Sequence, residues 1–239
     1  MRGKNKIKDA SGDVFNLSIS DLMAGLMAIF ILILCYYILT YSKTTDALRG
    51  NTAMRTQILR DIERDLSQNN IKITVDEKRG ILRLPEGAVY FPSGSAQTDK
   101  NGELVIATLS KVLVAVLQKE EYKGKIETIF IEGHTDNVPI NPNSYYKNNW
   151  NLSTARAVET WHLMNKYEPQ LMSLENSSDD KEKIFSCSGY ADTRPIASNT
   201  DDMGKKANRR IDIRFTMTPP KSEDAEIVKD VEKRMKSNE

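Results

Sequence analysis

From Val14 to Tyr41 the chain is apolar with one charge, Asp21. A helix needs about 20 such residues to cross the roughly 30 Å hydrocarbon layer, and this run is long enough. The pattern then changes. Over residues 43–68 an apolar stripe at Leu48, Ile58, Leu59, Ile62 and Leu66 predicts an amphipathic or linker helix, with a break at Gly50-Asn51-Thr52. Residues 71–75 alternate with period two, 76–80 turn the chain and 81–84 return, which is a hairpin signature. Val89-Tyr90-Phe91 reads as a short strand. Residues 99–118 set Leu104, Val105, Leu109, Val112, Leu113, Val116 and Leu117 on one helical face. A core strand over 125–132 precedes a helix over 151–167, capped by Asn149 or Asn151. After a polar loop at 175–183 come a strand over 184–188, a loop over 199–204 and an alternating strand over 210–215. Strands interleaved with two long helices predict an α+β fold, a mixed sheet with helices packed on one face. The chain thus divides into a basic N-terminus (1–13), a transmembrane helix (14–41), a linker helix (42–70), a folded domain (71–218) and a charged tail (219–239).

Asp21 needs a reason to lie in such a run, because an acid at mid-membrane costs on the order of 2.5–3.5 kcal/mol. One reading is proton or cation handling by a carboxylate that alternates between charged and neutral forms. The other starts the span after Asp21 and leaves it interfacial. Arg2, Lys4, Lys6 and Lys8 outweigh Asp9 and Asp13 before the span, while Lys43, Asp46 and Arg49 follow it. That bias places the N-terminus in the cytoplasm and exports the C-terminal domain. A cleaved signal peptide fits less well: the run is longer than an ordinary signal core and ends without a small-x-small site. Tyr36, Tyr37 and Tyr41 instead form an interfacial aromatic belt.

A net charge of +1 gives no electrostatic case for nucleic acid. Mean hydropathy of -0.49 beside one strongly apolar run leaves the remainder soluble in character. Cys35 and Cys187 are not expected to pair. His134 and His162 find no third ligand in the pattern, so no metal or cofactor is expected.

Two segments gather candidate chemistry: Ile131-Glu132-Gly133-His134-Thr135-Asp136, ending a strand, and Asn149-Trp150-Asn151-Leu152-Ser153-Thr154-Ala155-Arg156-Ala157, opening a helix. Asp136 and Arg156 make either a zwitterion clamp, carboxylate to ammonium and guanidinium to carboxylate, or a plain structural salt bridge. Hydrolysis would ask for paired carboxylates at a set separation or a metal-bound water, and the motifs offer neither. The pattern is that of a binding protein rather than an enzyme.

Gly133-His134-Thr135-Asp136, Asn149-Trp150-x-Leu152-Ser153-x-x-Arg156-Ala157 and Asn208-Arg209-Arg210-Ile211-Asp212-Ile213 resemble, in order, the signature of the OmpA-like peptidoglycan-binding domain, over residues 82–218. Phe91-Pro92-Ser93-Gly94-Ser95 resembles its opening strand and loop. The resemblance implies that Asp136 and Arg156 hold the diaminopimelate termini of the peptide stem. Asn149 and Leu152 would lie along the same groove, and Arg210 would border it. Ser20-Asp21-Leu22-Met23-x-x-Leu26-Met27-x-x-Phe30 resembles the ion-carrying helix of MotB-type stator subunits and of the ZorB subunit of the Zorya anti-phage system. That implies a dimer threading a pentamer of multi-span A subunits in the inner membrane, with Asp21 carrying a proton or sodium ion. The Trp-x-x-Tyr-Ala-Asp lead-in of flagellar subunits is absent, and Phe15-Asn16-Leu17-Ser18-Ile19-Ser20 stands instead, which leans the resemblance toward the defence motor. A flagellar stator subunit and a passive wall tether remain the alternatives.

Overall fold

The computed structural model describes residues 5–141, 144–177 and 181–220, with side chains from Ile19 onward. Arg2 and Lys4 of the basic N-terminus, the charged tail from residue 221, and residues 142–143 and 178–180 of two expected loops lie outside the described residues. Two compact units divide at Leu48 and Arg49: residues 1–48 with 220–239, and residues 49–219.

Helix α1, Asn5–Gln68, contributes to both units. In the first unit Leu22, Met23, Leu26, Phe30, Leu32 and Leu39 are all exposed. Such a continuous apolar surface needs lipid or partner helices to cover it. By length and composition this helix can cross a membrane.

The break expected at Gly50-Asn51-Thr52 does not occur, since α1 runs through it. A helical glycine costs about 1 kcal/mol. Ile58, Leu59, Ile62 and Leu66, all fully buried in the second unit, each return roughly 1.5–3 kcal/mol. Asn51 adds a 2.7 Å hydrogen bond from Nδ2 to the Thr218 carbonyl. Burial wins: of the stretch read as a linker, residues 49–68 belong to the second unit and Ile58, Leu59, Ile62 and Leu66 to its core.

Strands β1 (Thr74–Asp76) and β2 (Ile81–Pro85) form the expected hairpin. Helix α2 (Lys100–Leu117) starts at Asp99, whose carboxylate accepts from the Gly102 amide at 2.7 Å. Leu104, placed by its periodicity on the buried face, is 65% exposed. It shares its helix face with Thr108 and Lys111 rather than with Val105, Leu109 and Val116. Val89-Tyr90-Phe91 is not a strand. Val89 and Phe91 bury their side chains, while the Tyr90 carbonyl accepts from the Asp99 amide and the Thr98 hydroxyl.

Strand β3 (Ile126–His134), helix α3 (Asn149–Tyr167), strand β4 (Phe185–Gly189), helix α4 (Asp202–Asn208) and strand β5 (Arg210–Met217) complete the unit. The sheet order is β1-β2-β5-β3-β4, antiparallel except for β3 and β4. The expected mixed sheet with helices is present. α4 was expected as loop; Asp201 caps it by accepting from Gly204 N at 2.7 Å.

The two faces of the central strands carry different chemistry. Leu82, Leu84, Ile129, Ile131, Ile211, Ile213 and Phe215 join the hydrophobic core. Their alternates Arg83, Glu132, Arg210, Asp212 and Arg214 build an ion-pair lattice on the opposite side, with the His134 imidazole beside Asp212. Gly133 and Gly189 bring α3 down on the sheet. A Cβ at Gly133 would stand 2.0 Å from the Ser153 carbonyl oxygen, and one at Gly189 would stand 2.4 Å from the Thr154 amide nitrogen. The first turns of α3 therefore rest directly on the ends of β3 and β4.

Candidate functional site

That close seat fixes the groove. β3 ends at His134, and Thr135-Asp136 follow it out of the sheet with the Thr135 amide donating to the Ala191 carbonyl. Asp136 turns its loop by accepting from the Val138 amide at 3.1 Å. α3 is capped by Asn148, not by Asn149 or Asn151: the Asn148 carboxamide oxygen accepts from Asn151 N at 2.9 Å. Asn149 is spared for another task, donating from Nδ2 to the carbonyls of Asp136 and Val138. It staples the helix start to the loop that carries the acid. About one and two turns on, Leu152 and Arg156 face the same space.

Asp136, Asn149, Leu152 and Arg156 line one cavity of about 850 Å³. Sequence reasoning gathers these four, and the fold brings them together. Arg156, 4% exposed, donates from Nε to the Ser95 carbonyl at 3.0 Å and from Nη2 to the Pro92 carbonyl at 3.2 Å. Its guanidinium lies over the Phe91 ring at 5.1 Å. Burial pulls it down to about 10, with Glu86 and Asp136 opposing the shift, so it is still a cation near neutral pH. The arginine is thus held at one edge by two carbonyls, and its Nη1 makes no hydrogen bond among the described residues. An unfilled guanidinium edge in a cavity is suited to a carboxylate.

Among the described residues Asp136 and Arg156 form no salt bridge with each other. Arg209 takes the acid instead, with Nη1 to Asp136 Oδ2 at 2.5 Å, while Nε and Nη2 fork onto Glu86 at 2.6 and 2.9 Å. The Glu86 hydrogen bonds hold the Arg209 guanidinium still more firmly in its charged form. Glu86 and Arg209 were missed as site residues: Glu86 stands in the turn after β2, which in the sequence reads only as a break, and Arg209 is the C-cap of the unforeseen α4. The sequence signal for Arg209 is the doubled arginine of Asn208-Arg209-Arg210, and no local pattern marks Glu86. Arg210, expected to border the groove, is buried behind it, paired with Asp212 at 3.1 Å and bonded to the Arg194 carbonyl. Asp21 belongs to the other unit, on the exposed apolar stretch of α1.

His134 does meet further potential ligands, which the sequence pattern did not reveal: Glu132 and Asp212 offer oxygens within 4.8 Å. Both carboxylates are already engaged, Glu132 in a fork from Arg214 and Asp212 by Arg83 and Arg210. Three guanidiniums so placed repel a metal cation. His134 stacks on Tyr190, and the Arg194 guanidinium lies over the Tyr190 ring, 3.5 Å from its centroid. Burial first, then Arg210, Arg194, Arg83 and Arg214, pushes it from its ordinary 6.5 down to about 3. The unfolded chain therefore binds one more proton than the folded chain in the window between those values. Stability falls as pH drops through it, with a slope that approaches about 1.4 kcal/mol per pH unit from roughly one unit below 6.5. Urea midpoints measured from pH 6.5 to 5 should show this slope, and His134→Gln should flatten it.

Residues 90–209 match the model of the OmpA family. The chain is 34% identical to Motility protein B of Bacillus subtilis over 134 residues, 56% of this chain and 44% of that one. It is 31% identical to the uncharacterized protein YtxE of the same organism over 160 residues, 66% of this chain and 58% of that one. It is 25% identical to the Zorya protein ZorB of Escherichia coli over 218 residues, 87% of this chain and 90% of that one. The chain thus spans about half the length of the first two relatives. Among solved structures, a MotB-like protein from Desulfovibrio vulgaris shares the fold with a TM-score of 0.54 at 21% identity, over 71% of this chain and 98% of that one.

Proposed function

The chain belongs to the OmpA family, and from that premise we propose that it is the wall-gripping B subunit of an ion-driven membrane motor of the MotB and ZorB kind. The groove at Asp136, Asn149, Leu152 and Arg156 takes the diaminopimelate terminus of a peptidoglycan stem. Arg210 contributes from behind by holding the loop at Arg194. The span around Asp21 crosses the inner membrane once, from a cytoplasmic N-terminus to a periplasmic domain. One helix cannot enclose an ion path, because its lipid-facing surface must stay apolar, so a multi-span A subunit is physically required. In the proposed assembly two copies of this chain thread five A subunits, and a proton or sodium ion passes by way of Asp21. Bound to the wall, the central chains cannot spin, so the ring turns around them.

The observation that carries the reading is the union in one chain of a zwitterion groove and an acid-bearing apolar helix. Likeness to ZorB runs through most of both chains, 87% of this one and 90% of that one. With the absent flagellar lead-in, it favours anti-phage defence as the setting. The greater identity to Motility protein B favours the second reading, a flagellar stator, but covers 56% of this chain.

Mild solubilisation of membranes should recover the tagged chain with a multi-span polypeptide in excess over it, on the order of five to two. A chain that comes down alone would leave only a wall tether. Phage challenge and swimming assays of the deletion strain separate the two settings.

A further inference from the structure

We propose that Glu86 sets the ligand charge this groove accepts: a stem terminus bearing one free ammonium and one free carboxylate enters, and the amidated or N-acylated terminus is turned away. The inference rests on the peptidoglycan reading and adds a choice among stem chemistries.

Glu86 is 8% exposed and stands in the turn that follows β2. Both of its oxygens are given to Arg209, whose third arm reaches Asp136. It is also the foremost charge opposing the effect of burial on Arg156, ahead of Asp136. One carboxylate thus balances guanidiniums on two elements, α3 and the end of α4. Around the groove Arg156 and Arg209 supply two positive charges, and Glu86 and Asp136 supply two negative ones. Lys206 lies on the rim, exposed to solvent and screened. The empty groove is therefore neutral.

A neutral groove of fixed ions has a definite preference. A zwitterionic terminus sets its carboxylate on the Arg156 edge and its ammonium beside Asp136, which it shares with Arg209, and leaves the total unchanged. Amidation removes the negative end, so the Arg156 edge loses its partner and the total becomes positive. Acylating the amine removes the positive end, so no ammonium faces Asp136 and the total becomes negative. Uncompensated charge in a desolvated site is costly, so both capped forms are disfavoured. With Asp136 as the sole acid against two arginines, the balance would tip, and a ligand with surplus negative charge would fit best. Glu86 is the group that prevents this.

The test uses the full chain in detergent and three stem dipeptides of γ-D-glutamyl-meso-diaminopimelate: free at the side-chain terminus, N-acetylated there, and amidated there. Titration calorimetry on the wild type should rank the free form at least about tenfold above each capped form. In Glu86→Gln the acetylated form should gain on the free form by about tenfold and the amidated form should fall further behind. Glu86→Asp, which keeps the charge, should restore the wild-type order. An unchanged ratio in a folded Glu86→Gln protein overturns the proposal, and so does an equal loss of all three ligands, which would mark Glu86 as a structural prop. Wild-type protein that binds none of the three fails at the earlier step, the peptidoglycan reading itself, and removes both.

Discussion

Asp21→Asn is expected to abolish motor output, to background in a phage-protection or swimming assay, while membrane insertion, partner recovery and wall binding persist. The substitution keeps size and hydrogen-bonding capacity and removes only the exchangeable charge. The driving force is modest: one unit charge crossing 100 mV supplies about 2.3 kcal/mol. A step powered at that scale has no reserve for a pathway whose ion-binding group is missing. An amide at this position also lightens the insertion cost of the span, so loss of activity cannot be ascribed to failed insertion. Asp21→Glu retains the carboxylate on a longer arm and should keep part of the activity. A wall tether makes the opposite forecast, with Asn in place of Asp21 silent in every assay. Full activity of Asp21→Asn would end the motor reading.

The parts of this molecule that were legible in the sequence are those that short-range periodicity controls. The apolar span, the hairpin of β1 and β2, the alternating β5 and the buried stripe of α2 all follow from spacing alone. Asp136 and Arg156 could be paired because one ends a strand and the other lies near the start of the following helix, whereas Asn149 and Leu152 were gathered with them through the resemblance to the OmpA-like motif. What escaped depends on contacts between distant residues. Gly50 looked like a break because the burial of Ile58, Leu59, Ile62 and Leu66 is settled by the distant core residues they join. Arg209 could not be paired with Glu86, 123 positions earlier, from any local pattern. The lattice on the polar face was hidden for the same reason, since register alone sets Asp212 opposite both Arg83 and Glu132. Asn148 displaced the expected caps because Asn149 is needed at the Asp136 loop.

Arg156→Ala should release the chain from the wall. Retention on purified sacculi is expected to fall by about ten- to a hundredfold, the loss of one charged, bidentate hydrogen-bonded contact. Arg156 also carries the carbonyls of Pro92 and Ser95, so alanine loosens that loop as well as emptying the clamp. Arg156→Lys separates the two effects. Lysine keeps a positive charge in the groove but has no planar fork with which to hold two carbonyls and a ligand carboxylate together. Its melting temperature should stay nearer the wild type than its binding does. Asp136→Asn attacks the other half of the clamp and should weaken retention without touching the Arg156 carbonyl bonds. In the motor assay the groove variants should fail for a reason distinct from Asp21→Asn: ions still pass, but the central chains turn with the ring and no torque reaches the load. Ion flux measured beside output tells them apart, with flux lost in the Asp21 variant and kept in the Arg156 variant. Sacculus retention undiminished in both Arg156→Ala and Asp136→Asn would place wall binding elsewhere on the domain and leave this cavity without its ligand.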